Sequence, residues 1–303
     1  MIGHENIISF FEKVIEHGNI SHAYCFVGQD GVGKRTMART VAAKLLGVAE
    51  EKLQTQPDYT EIGQEIDEKK GTLKKDISVD QIRAFRAFFS LTTFFGGYKI
   101  AVVDGAEKMN VAAANGLLKT LEEPAEKSVI FLLTDSDGAL PRTIRSRCQT
   151  IYFSPVSTVA IQTALEDRGL PRHEAEEMAR LSHGLPGQAF RWFEDRAVYS
   201  ARKEEAARFA SLWQKPLYDK IKQVEPLFGD KEDHIAARER LGNVLGIWEI
   251  AMRETLLSSM DEARSPVRRV SIEIYHLIEK ARRLLGQNIH PRLLVEQILL
   301  AIP

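Results

Sequence analysis

The stretch FVGQDGVGKRTMART, Phe26 to Thr40, sets an apolar run, a glycine-rich turn and a helix-forming segment in immediate succession. Gly28, Gly33 and Lys34 fall in the G-x-x-x-x-G-K register of a phosphate-binding loop. In such a loop backbone N–H groups face the phosphates, the lysine reaches the outer ones, and the hydroxyl that follows it holds Mg²⁺. Gly28, Gly31, Gly33 and Lys34 preserve the cradle and its charge. Arg35 stands where Ser or Thr is expected, and Thr36 comes one position late, about 100° further round the helix. The same pattern also suits a strand-turn-helix junction that takes no nucleotide.

Outward from the loop, short apolar runs alternate with helical patterns, the signature of a parallel sheet with crossover helices. AYCFVG reads as a buried strand, KRTMARTVAAKLL as the helix under the phosphate site, and DYTEI as a further strand. The lysine-rich segment after it, DEKKGTLKK, reads as a mobile connection. Ser78 and Gln81 stand in capping-box register and predict a helix start. KIAVVD is the strongest strand signal, MNVAAANGLLKTLEEP is a helix stopped by Pro124, and SVIFLLTD and QTIYFSP complete five strands of a doubly wound sheet. After Pro155 the strand signal ends and amphipathic helices follow.

A site that hydrolyses a nucleotide needs a strand-end Asp for the Mg²⁺ shell and a Glu next to it that polarises water. KIAVVDGAEKM supplies Asp104 but then Gly105. Glu107, two residues on, reads as a solvated loop acid. Arg35 and Gly105 thus strike metal binding and water activation separately, and together they predict a site that does not turn over.

With 303 residues the chain is long enough for two or three domains. Hydrophobic content of 44% and charged content of 27% are those of a soluble globular protein. Neither a bilayer-length apolar run nor a signal-peptide pattern occurs, so a cytoplasmic protein without membrane contact is expected. A net charge of −1 argues against a chain that coats nucleic acid by itself. Cys25 and Cys148 lack neighbours at zinc-ligand spacing and are expected to be reduced thiols.

The combination of HAYCFVGQDGVGK, KIAVVDGAEKMNVAAANGLLKTLEEP, VIFLLTD and LPRTIRSRC resembles the AAA+ subunits of DNA clamp loaders. It covers the first half of the chain densely and the helical remainder by layout. The resemblance implies an α/β AAA+ domain at 1–155, an all-α lid at 156–208 and an all-α collar at 209–303 that holds an oligomer together. It also implies that Arg147, flanked by Ser146 and Cys148, acts as an arginine finger on the ATP of a neighbouring subunit. A guanidinium suits this role because it is permanently charged and grips two oxygens at once.

Transferred residue by residue, the family's own nucleotide site maps onto Gly28, Gly31, Gly33, Lys34, Thr36, Asp104 and Thr134, the last at the polar sensor position, where a strand-end Thr needs no function to explain it. In GLPGQA, Gly187 occupies the place of the family's lid arginine, a third loss at the same site. The chain therefore resembles a stator, with no cofactor certain and ATP with Mg²⁺ possible at a degenerate site. Its implied partners are gamma/tau motor subunits, a delta subunit, the sliding clamp and, through the complex, primer-template DNA. The competing reading is an ATP-hydrolysing motor subunit. Lys119, Glu122 and Glu123 are assigned to a subunit contact or a helix end.

Overall fold

The computed structural model describes residues 1–66, 74, 76–228, 234–258, 266–285 and 289–303. The lysine-rich connection falls mostly outside them. The chain forms two compact units, Met1–Phe193 and Glu194–Pro303.

The first unit is built on β1 (Ala23–Val27), β2 (Tyr59–Ile62), β3 (Lys99–Asp104), β4 (Ser128–Thr134) and β5 (Gln149–Tyr152). All pair in parallel, in the order β2-β3-β4-β1-β5. β1 and β4 are buried on both faces, which is why they read as continuous apolar runs with no alternation. Side chains that alternate along the strands feed two separate cores. Cys25, Ala101 and Leu132 pack on one face with Ile82 and Phe85 of α3 (Val79–Ser90) and Leu117 of α4 (Val111–Glu122). Phe26, Val102 and Phe131 pack on the other with Phe11 of α1 (Glu5–Glu16) and Met37 and Val41 of α2 (Lys34–Leu46).

Helix starts follow their local chemistry. Ser78 and Gln81 form the reciprocal capping box, and the Asn110 side chain accepts from Ala113 N at 2.8 Å to start α4. α4 ends at Glu122, before Pro124. A single turn, α5 (Arg142–Arg145), leads into β5, and then α6 (Thr158–Glu166), α7 (Arg172–Leu181) and α8 (Pro186–Glu194) form the helical tail of the unit.

The second unit holds α9 (Arg196–Ala210), α10 (Leu217–Val224), α11 (His234–Ser258), α12 (Pro266–Leu285) and α13 (Pro291–Ala301). Its core centres on Trp248, whose ring lies 4.8 Å from that of Phe209 and whose indole N–H donates to Glu205 at 2.6 Å. α9 belongs to this compact unit, whereas the motif-based layout counts most of it with the lid.

Candidate functional site

β1 delivers the glycine loop at the carboxyl end of the sheet, where ligands bind in open parallel sheets. Gly28 N donates to Thr134 O at 3.1 Å, which ties the loop to β4, and Gly33 caps α2. Lys34 is buried, and its ammonium donates to Gly28 O and to Asp135 Oδ1 at 2.7 Å. The Thr134 hydroxyl donates to Ser136 O at 3.0 Å and accepts from Ser136 N at 3.3 Å, so its capacity serves the turn after β4. Thr36 is exposed and does not line the pocket, in keeping with its late position on the helix.

The residue that the sequence reading lacked is Glu61. It lies on β2, with only 7% of its side chain exposed, and it ion-pairs with Arg35 Nε. Its other oxygen accepts from the Tyr59 hydroxyl at 3.0 Å and from Gln54 at 3.3 Å, and Arg39 Nε lies 3.8 Å away. Arg35 Nε is also 3.8 Å from Asp104 Oδ2. Arg35 is therefore more than a missing hydroxyl: it places a cation between two strand-end acids. Burial holds the Asp104 carboxyl above its ordinary value, the Arg35 charge opposes this, and the Glu61 and Asp30 charges add to it.

Gly105 adopts φ 72°, a left-handed conformation in which a glutamate is strained by about 1 kcal/mol or more. The backbone that turns out of β3 thus favours glycine at the position of the water-activating acid. Glu107 departs from the reading as a solvated acid: it is half-buried, lines the pocket, and its Oε2 is inaccessible to solvent and has no hydrogen-bond partner among the described residues. The short helical turn at Ala106–Lys108 folds it back against the site.

From the helical tail, Gly187 N donates to Gly31 O at 2.8 Å. A Cβ on Gly187 would come within 3.0 Å of Gly31 Cα and of Gly31 O. The position where the motif comparison places a lid arginine is instead a backbone-to-backbone contact that closes α8 onto the middle of the loop. On the other side His4 Nε2 lies 3.0 Å from Val32 O, and its ring packs edge-on against Phe153 at 4.8 Å.

A phosphate could be met by Lys34 and the amides that open α2. A divalent metal does not fit. The position after the lysine offers no hydroxyl, Glu61 is already engaged through both oxygens, and a guanidinium lies against the remaining strand-end acid.

Arg147 lies elsewhere in the unit, between α5 and β5. Its Nη2 is 2.8 Å from Glu122 Oε1, and its Nη1 donates to Thr143 O at 2.8 Å and to Ser146 Oγ at 3.4 Å. Glu122 is thus engaged within the chain at the end of α4. About a third of the Arg147 side chain is exposed, at 35%. Cys148 turns toward the sheet core, where burial pushes its thiol up to about 12. Neither cysteine forms a disulfide, and among the described residues no His, Cys, Asp and Glu cluster is arranged to hold a metal.

A parallel sheet of this order, with a glycine loop between β1 and α2, an acid ending β3 and a helical tail folded onto the loop, defines the α/β fold of an AAA+ domain. A family model described as "DNA polymerase III, delta subunit" matches residues 3–157, and the chain belongs to that family. It is 37% identical over 183 residues to the "DNA polymerase III subunit delta'" of Pseudomonas aeruginosa, over 55% of this chain and 54% of that protein. It is 30% identical over 184 residues to the Bacillus subtilis protein of the same description, over 59% and 56% respectively. The alignments thus span about half the length of these relatives. Among solved structures, a gamma subunit-related protein of polymerase III from Thermotoga maritima superposes with a TM-score of 0.58 at 20% identity, over 96% of this chain and 97% of that one, a likeness of fold.

Proposed function

We propose that the chain is a clamp-loader stator: it takes part in loading the sliding clamp onto primed DNA, hydrolyses no ATP itself, and presents Arg147 to the ATP of a neighbouring motor subunit. In this reading the lid and collar are residues 156–208 and 209–303, the collar joins the ring, and the complex includes gamma/tau motor subunits and a delta subunit. The observation that supports it most is Arg147 itself, whose guanidinium is held at three hydrogen-bonding atoms yet stays partly open to solvent. A preorganised, permanently charged fork suits charge that develops on a transferring phosphoryl group. The chain's own loop, with Arg35 between its acids and Gly105 after Asp104, lacks the groups for metal and water.

The test is the clamp- and DNA-stimulated ATPase of reconstituted complexes that carry Arg147→Ala, with Arg142→Ala and Arg145→Ala as controls. Arginine fingers contribute on the order of 10³ to 10⁵ in rate at the site they serve. The total should fall by less, since the other sites of a ring keep their own fingers, and Arg147→Lys should restore little. Equal losses for all three variants, or none for Arg147→Ala, would refute the role. The isolated chain should release no phosphate from ATP, and steady release abolished by Lys34→Ala would favour a motor subunit.

A further inference from the structure

We propose that Arg35 takes the place of the divalent cation, so that the phosphate-loop site is closed to metal by a guanidinium tethered to the chain itself. The inference concerns the chain's own loop and is independent of the role proposed for Arg147.

Three observations carry it. First, Arg35 occupies the sequence position at which a phosphate loop supplies its metal-holding hydroxyl, and its side chain lies on the side of α2 that faces the acids. Second, it meets two carboxylates from adjacent parallel strands, Glu61 on β2 and Asp104 at the end of β3, whose registers run side by side from Tyr59↔Ile100 to Ile62↔Val103. A hard cation at this place would need those same oxygens. Glu61 has none to spare, because one oxygen pairs with Arg35 and the other accepts from Tyr59 and Gln54.

Third, the pocket is acidic. Asp30, Glu61, Asp104, Glu107 and Asp135 line it against three cationic side chains, one of them Arg35. Glu107 adds a buried oxygen without a hydrogen-bond partner among the described residues. A carboxylate as buried as Glu61 is costly unless a cation accompanies it. Mg²⁺ sheds its water reluctantly, whereas a guanidinium is weakly hydrated, permanently charged and already attached. Arg35 is itself 55% exposed, so its pairing contributes little to global stability, but it keeps the acids compensated and their oxygens occupied. Removal of Arg35 should unmask a cation site that the remaining acids define.

The experiment is Mn²⁺ titration of the full chain, followed by the electron paramagnetic resonance signal of free Mn²⁺, with Mg²⁺ as competitor. Wild type should show no saturable Mn²⁺ site, and Arg35→Lys should behave like it. Arg35→Ser should acquire a saturable site that Mg²⁺ competes for, and Arg35→Ser with Asp104→Asn should lose it again. Arg35→Gln, which keeps the side-chain length, serves as the second variant should the serine variant fail to fold. Saturable binding by wild type that Asp104→Asn abolishes would overturn the inference, as would folded Ser and Gln variants that gain no site. Either result leaves the proposed action of Arg147 on a partner's ATP untouched.

Discussion

Gly187→Ala separates two readings of the segment GLPGQA by the sign of its effect. If the residue were only a place where a sensor arginine has been lost, alanine near the start of α8 would stabilise the helix by up to about 1 kcal/mol. The structure predicts the opposite. The new Cβ would stand 3.0 Å from both Gly31 Cα and Gly31 O and 3.4 Å from Gly31 C, all of them backbone atoms that cannot rotate away. To relieve this, α8 must retreat by a few tenths of an ångström, which lengthens the 2.8 Å bond from Gly187 N to Gly31 O. Overpacking of this kind costs about 1 to 3 kcal/mol, and weakening this hydrogen bond, whose donor residue is exposed, adds about 0.5 to 1 kcal/mol. After the helix gain is subtracted, a net loss of roughly 0.5 to 3 kcal/mol remains. Urea denaturation of the full chain measures it. Hydrogen exchange should quicken in peptides that span residues 28–34 and 184–190, with the sheet unchanged. Gly187→Arg should open the same contact further and restore no ATP turnover. An alanine variant as stable as wild type or more so, with unaltered exchange in the loop, would refute the argument.

Other outcomes follow from single sites. Asp104 is held above its ordinary value of 3.8, so the fold disfavours its charged form, and this part of stability falls as pH rises from that value through the raised one. Asp104→Asn should therefore match or exceed wild type in thermal stability at pH 7, and acidification through that window should favour wild type relative to the variant. Two-fifths of the side chain still meets solvent, which damps the effect. With its thiol pushed to about 12, Cys148 should react with iodoacetamide at pH 8 about a thousandfold more slowly in the native chain than in urea; comparable rates would contradict its burial. Trp248→Ala should cost the second unit about 3 to 5 kcal/mol in urea denaturation, because the ring is fully buried against Phe209. A loss below about 1 kcal/mol would mean that this core collapses around the gap.

The elements legible in the sequence are those whose causes are local. An apolar run such as SVIFLLT reads as a strand because both of its faces are buried, and Ser78 with Gln81 announces a helix because the partners in a capping box sit three residues apart. Gly28, Gly33 and Lys34 declare their loop because a phosphate cradle is built from consecutive amides. For the same reason the loss of a hydroxyl at Arg35 and of a carboxylate at Gly105 could be read from spacing alone.

What took their places could not. Glu61 looks like one acid among many in a short strand, and only the parallel pairing of β2 with β3 sets it beside Asp104 and within reach of Arg35. Glu107 is polar and follows a turn, so pattern alone assigns it to solvent, whereas the short helix at Ala106–Lys108 folds it inward. Glu122 meets Arg147 because α4 ends where α5 begins its turn, and Gly187 meets Gly31 because the helical tail returns to the loop. Periodicity along a chain records which side of an element is apolar. Which charge faces which, and where two backbones touch, depends on strand order and helix return, and those are settled only when the whole sheet and its tail are packed.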